Sequence, residues 1–238
     1  MERLQKVIAS YGYTSRRKAE ELIRKGKVMV NGKIITELGT KVEANDVISI
    51  DSVIINKDVK QEYYLLNKPR QVISSVEDKQ GRITVRDLIN TDARIYPIGR
   101  LDYDTTGLII LTNDGDFANK LTHPTNHIDK EYVVTIEGEI TEGELAVLRA
   151  GVVENGKRMP SAKVKLLGYQ NKLSRLSVII DEGQNRQIRR MFEAIGKNIV
   201  LLKRVAIGGL RLGGLERGKY RPLTDKELYS IFGVKKWE

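Results

Sequence analysis

The chain has 238 residues, 40% of them apolar, enough for one large domain or two modest ones and unlike a disordered composition. It has no cysteine, which excludes disulfides and thiolate metal sites; it has no apolar run long enough for a bilayer, and its opening MERLQKVIAS lacks the apolar core of a signal peptide. A formal charge of +10 suits a polyanionic partner, although a solvated basic surface reads the same way by charge alone.

That charge is concentrated. Residues 1–60 carry 12 basic and 8 acidic side chains, residues 182–222 carry 10 and 3, and the rest of the chain sums to −1. In chain order, ERLQKVIASYG predicts a helix with Leu4, Val7 and Ile8 on one face and Gly12 at its end. TSRRKAEELIRKGK predicts a second helix, capped by Thr14 or Ser15 and closed by Gly26. Ala19, Leu22 and Ile23 face inward, and Glu20 and Glu21 stand four residues before Arg24 and Lys25 as supporting ion pairs. VMVNGKII predicts a hairpin turning at Asn31-Gly32, and DVISID a further strand. Arg16, Arg17 and Lys18 at a helix start, with Arg24 farther on, fit an RNA-backbone reader as well as they fit a plain helical domain.

The polar stretch NKDVKQE, residues 56–62, reads as a linker, dividing the chain into 1–60 and 61–238. Beyond it, YYLLNKP, YVVTIEGEI, VKLLGY and LSVIID predict strands. TEGELAVLRAG and TDKELYSIFG predict helices with capping boxes at Thr141/Glu144 and Thr224/Glu227. The fold class expected is α+β: a small N-terminal helix-hairpin domain, then a mainly antiparallel mixed sheet with flanking helices.

Most catalytic readings fail early. His123 and His127 have helical metal-pair spacing but are separated by Pro124, which favours a loop and predicts no metal site. No nucleophile elbow, phosphate-binding loop or dinucleotide fingerprint is present, and the glycines of GGLRLGGLERGKY read as turns. Asp102, in RLDYDTTGL just ahead of the apolar run LIILT, remains. A carboxylate can act at an anomeric carbon, and in a closed site it needs a cation to stay ionised. EGQNRQIRRMFEAIG supplies a candidate. Ile188, Met191, Phe192 and Ile195 form a packing stripe, and Arg189 lies about 100° round from its centre, at the border. Arg186 and Arg190 lie farther toward solvent, placed to meet phosphates. By physics alone, Asp102 fits an Asx turn and Arg189 a snorkelling surface residue equally well.

Two resemblances narrow this. SRRKAEELIRKGKVMVNGK resembles the RNA-binding domain shared with the small-subunit ribosomal protein S-four, over about residues 1–50. GRLDYDTTGLIILTNDGDFANKL, DKEYVV and EGQNRQIRRMFEAIG, in that order, resemble the RsuA/RluB family of RNA pseudouridine synthases, over essentially the whole chain. The resemblance implies a pseudouridine synthase domain whose catalytic carboxylate is Asp102, with Tyr132 stacking on the target uracil and Arg189 pairing with Asp102. It places Arg100 and Lys130 near the flipped nucleotide and Leu202 as a pocket wall. Gln184 and Glu131 depart from residues common in the family, which implies weaker RNA contacts there. The isomerisation involves no redox change or group transfer, so no cofactor is expected, and the partner implied is ribosomal RNA. The resemblance leans to large-subunit over small-subunit rRNA, in the cytoplasm, as a monomer. Its rivals are a non-catalytic ribosome-assembly factor on the same scaffold and a metal-assisted phosphoryl-transfer enzyme.

Overall fold

The computed structural model describes residues 1–55, 59–154 and 156–234. The chain separates into two units, residues 1–62 with 91–95 and 112–116, and the remainder of 63–238.

In the first unit, β1 (Glu2–Arg3) leads into α1 (Leu4–Ser10) and α2 (Arg16–Arg24). Ser15 caps α2 by accepting from the Lys18 N–H at 3.2 Å. β2 (Val28–Val30) and β3 (Lys33–Ile35) form the expected hairpin, with both turn residues at positive φ. β4 (Lys41–Val42) pairs β1; β5 (Ile48–Ile50) pairs β2 and is followed by β6 (Val53–Ile54). The inward faces of α1 and α2 meet these strands in one core of Leu4, Ile8, Ala19, Ile23, Val28, Ile48 and Ile50. Within this unit Glu20, expected to support Arg24, accepts from Gln5 Nε2 at 3.1 Å. The expected linker falls in part on residues 56–58, outside the described residues, and 59–62 have no regular structure.

The second unit is built on a nine-stranded sheet. Its strands are β7 (Tyr63–Lys68), β8 (Tyr96–Ile98), β9 (Thr106–Thr112), β10 (Lys130–Glu137), β13 (Lys163–Gln170), β14 (Leu173–Ile180), β15 (Ile199–Ile207), β16 (Leu210–Arg211) and β17 (Tyr220–Pro222). The main path runs β13-β14-β10-β15-β9-β7-β17. A separate hairpin, β11 (Val153–Glu154) with β12 (Lys157–Arg158), lies off it. Helices α3 (Gly115–Thr122), α4 (Glu142–Ala150), α5 (Gln187–Ala194) and α6 (Asp225–Ile231) complete the chain. Thr141 and Thr224 both form the capping boxes legible in sequence.

β9 is buried at every residue, as its unbroken apolar run requires of a strand covered on both faces. It pairs in parallel with β15, Arg204 opposite Gly107, whereas β10 pairs antiparallel with both β14 and β15. Gly107 is obligatory on two counts. Its φ is +107°, and a Cβ there would stand 2.1 Å from the Arg204 carbonyl oxygen. One face of β9 packs with α3 and α6 through Leu108, Ile110, Phe117, Leu121, Leu228 and Ile231.

Candidate active site

Asp102 sits in the turn that feeds β9. The turn closes with the Thr105 N–H donating to the Asp102 carbonyl at 3.1 Å, and it is pinned from outside. Ser74 Oγ donates to the Leu101 carbonyl and accepts from the Leu101 N–H, at 2.8 and 3.0 Å. The Gln71 N–H donates to the Tyr103 carbonyl at 2.8 Å. Lys68, fully buried at the end of β7, donates through Nζ to the carbonyls of Pro69, Asp102 and Thr105 at 3.1, 3.0 and 2.9 Å. Burial lowers the Lys68 pKa to about 8, against the pull of Asp104 and Asp102. A turn pinned at this many backbone groups fixes where the Asp102 side chain starts from.

Arg189, on α5, is buried and turned toward this loop. Its Nε stands 3.8 Å from Asp102 Oδ2, and its Nη2 is 2.9 Å from Asp104 Oδ2 and 3.4 Å from Thr105 Oγ1. The tighter carboxylate partner is therefore Asp104, two residues on in the same turn. Arg189 Nε makes no hydrogen bond. Asp102 keeps an ion-pair partner while its oxygens stay uncommitted, as a carboxylate that must act on another molecule requires.

A cavity of about 530 Å³ opens beside this pair. Asp102, Arg189, Tyr132, Leu202, Lys130 and Arg100 all line it. The sheet explains the convergence. Tyr132 on β10 is the cross-strand partner of Arg204 on β15, Leu202 lies two residues before Arg204 on the same face, and Lys130 two before Tyr132. Lys130 is half-buried and donates to the Asp181 carbonyl at 2.6 Å; burial, then Arg204, lowers its pKa. Arg100 is exposed at the rim.

Arg16, Arg17, Lys18 and Arg24 are exposed on α2. Arg186 is exposed, borders the cavity and stands 3.7 Å from Glu193. Arg190 departs from its expected free state. It is gripped by both carboxylate oxygens of Glu154 on β11. Glu131, one of the two unusual residues, is likewise engaged, pairing with Arg211 and accepting from Ser177 Oγ at 2.9 Å. His127 bonds Asp181 and His123 bonds Thr125; neither is a partner of the other. Among the described residues no cluster of three or more His, Cys, Asp or Glu could hold a metal.

Sequence reasoning passed over Lys68, Arg204 and Gln187. All three are buried polar residues near or in the cavity. Lys68 reads as the polar end of a strand, and Arg204 as one of several basic residues in a charged tract. The arrangement as a whole offers an ionisable carboxylate with a guanidinium beside it and an aromatic side chain close by, in a concavity large enough for a nucleoside.

Residues 62–194 match the RNA pseudouridylate synthase family and residues 2–48 match the S-four domain. The chain belongs to the RNA pseudouridylate synthase family and is of the RsuA/RluB type. It is 52% identical over 232 residues to the ribosomal large subunit pseudouridine synthase B of Bacillus subtilis, covering 96% of this chain and 94% of that one. It is 38% identical to the dual-specificity RNA pseudouridine synthase RluF of Escherichia coli K12, covering 97% of this chain and 78% of that one. A crystal structure of a pseudouridylate synthase superposes with a TM-score of 0.70 at 32% identity, covering 97% of this chain and all of that one.

Proposed function

We propose that this RNA pseudouridine synthase converts a uridine of large-subunit ribosomal RNA, with Asp102 as its catalytic carboxylate. The single observation that carries the catalytic assignment is Asp102 at the cavity wall, within ion-pair distance of the buried Arg189 and on a turn fixed by Lys68. The large-subunit target rests on the 52% identity to the Bacillus subtilis enzyme, whose name carries that target.

The reaction breaks the C1′–N1 bond, turns the uracil and forms C1′–C5. The target base must first leave its stack, at a cost of a few kcal/mol, roughly. Tyr132 stacks on the base and returns about 1–3 kcal/mol. Leu202 closes one wall of the pocket. Asp102 acts on the ribose or the base while Arg189 orients it. Arg100 and Lys130 stabilise the everted nucleotide at the rim and wall. Residues 1–60 hold the RNA through Arg16, Arg17, Lys18 and Arg24, while residues 61–238 carry the chemistry with Arg186 beside the entrance. Arg190 joins that contact only by exchanging Glu154 for a phosphate. The protein acts as a monomer in the cytoplasm.

The test is tritium release from [5-³H]uridine-labelled large-subunit rRNA. Asp102→Asn abolishes release if the assignment holds, and a variant as active as the parent removes it. Mapping pseudouridines in both rRNAs from cells lacking the protein decides the target. A site lost from the small subunit instead overturns that part.

A further inference from the structure

Arg204 presents an unusual combination. It is 5% exposed, it lines the cavity, and it is the cross-strand neighbour of Tyr132. Of the five N–H donors of its guanidinium, the one on Nε donates to the Leu108 carbonyl at 2.7 Å. Among the described residues, no other hydrogen bond and no carboxylate serves it; Nη2 is sealed from solvent without a partner, and Nη1, also unbonded, is the terminal nitrogen that keeps solvent access and could reach a molecule in the cavity. A buried guanidinium with a single hydrogen bond and no carboxylate beside it is costly to hold. Arg189, by contrast, meets two carboxylates.

The strand geometry fixes where Arg204 can reach. Its backbone is locked against Gly107, and Nε is tied to β9, so the guanidinium has little freedom to swing toward solvent. It lies on the sheet side of the cavity beside Tyr132, where a stacked base would sit, and not at the exposed rim that Arg100 occupies. A guanidinium donates and never accepts. Gln187, which also lines the cavity, has a buried amide nitrogen without a partner while its Oε1 accepts from the Gln184 N–H at 3.1 Å, but that amide is neutral.

We propose that Arg204 is a specificity-determining residue that donates to the 4-carbonyl oxygen of the everted uracil and thereby excludes cytosine. Cytosine presents a 4-amino donor at that position. Set against a buried guanidinium, it would leave two donors facing each other, the unpaired arrangement by which polar sites reject near-isosteres. The 2-carbonyl and the ribose-phosphate are common to both nucleotides and would give no such discrimination. The proposal rests on the cavity being the uridine site.

The experiment compares binding in the Asp102→Asn background, so that turnover does not consume the RNA. The probe is the large-subunit rRNA segment whose uridine the enzyme converts, transcribed with either uridine or cytidine at that position. The Asp102→Asn protein is expected to bind the uridine form at least about tenfold more tightly. Adding Arg204→Gln brings the two affinities within about twofold of each other. Arg204→Met, which keeps the stem and loses every donor, gives the same levelling and serves if the glutamine variant does not fold. A uridine preference that survives either folded variant overturns the proposal. Equal loss of affinity for both RNAs also overturns it, since that is the signature of a phosphate or 2-carbonyl contact. The underlying site assignment is judged separately, by whether Asp102→Asn abolishes tritium release.

Discussion

Lys68→Met would cut the support from under the Asp102 turn while nearly conserving volume. Three carbonyls, of Pro69, Asp102 and Thr105, lose their shared donor. Leaving a buried acceptor unpaired costs about 1–3 kcal/mol, so three partly relaxed ones cost roughly 4–6. Against this, the substitution removes a charge whose burial is already expressed as a pKa of about 8. That relief is worth about 3 kcal/mol. The net destabilisation is therefore about 1–3 kcal/mol, and for a chain of this size it lowers the melting midpoint by roughly 3–10 °C. The larger effect falls on turnover, because a displacement near 1 Å of a reacting group costs on the order of 10²-fold. Single-turnover tritium release at saturating enzyme, with melting followed by circular dichroism, separates the two. The expected result is a fall in rate of about 10–100-fold with RNA affinity retained. A folded Lys68→Met protein with a rate within twofold of the parent would refute the claim that this lysine holds the turn.

Other substitutions probe neighbouring parts of the same construction. Gly107→Ala forces a Cβ toward the Arg204 carbonyl in a left-handed backbone, so urea denaturation should show a loss of about 4 kcal/mol or an insoluble protein; a loss under 1 kcal/mol would contradict the close approach. Asp104→Asn removes the tighter partner of Arg189, but Asp104 is half exposed, so the rate should fall by about fivefold, the equivalent of roughly 1 kcal/mol; a loss as deep as that of Asp102→Asn would make Asp104 the reacting carboxylate. Arg221 holds the Glu227 carboxyl down at about 2, below the 4.5 of a free glutamate, so its contribution is present above pH 4.5 and is lost as pH falls toward 2. Melting midpoints of Glu227→Gln and the parent should therefore converge over that window, and an undiminished gap at pH 2.5 would argue against the pairing.

The parts of the fold written in local chemistry were legible in advance. Two capping boxes, an Asn-Gly turn, a serine cap and an apolar run between polar flanks each specify structure within a few residues, and each is found. What depends on distant pairing was not. Nothing around Lys68 announces that its ammonium will meet carbonyls 34 and 37 residues away. The same holds for charge. The tract 182–222 counts as +7 in sequence, yet Arg189, Arg190, Arg211 and Arg221 each find a carboxylate in the fold. A residue count sums formal charges, whereas the field felt by an RNA depends on which of them are already compensated. Asp102 itself stood out through motif resemblance; the tighter bond from Arg189 to Asp104 could be seen only once α5 was laid against the loop.

The order in which the ribosome releases these segments has its own consequence. Lys68 and the Asp102 turn emerge early, whereas Arg189 and Arg204 belong to the last quarter of the chain, and β15 must insert between β10 and β9 before they reach the cavity. A growing polypeptide that has already made the Asp102 turn thus still lacks both the Arg189 guanidinium beside it and the cavity wall that β15 supplies. On the proposed assignment of Asp102 and Arg189, the site is complete only once β15 has been made and paired between β10 and β9.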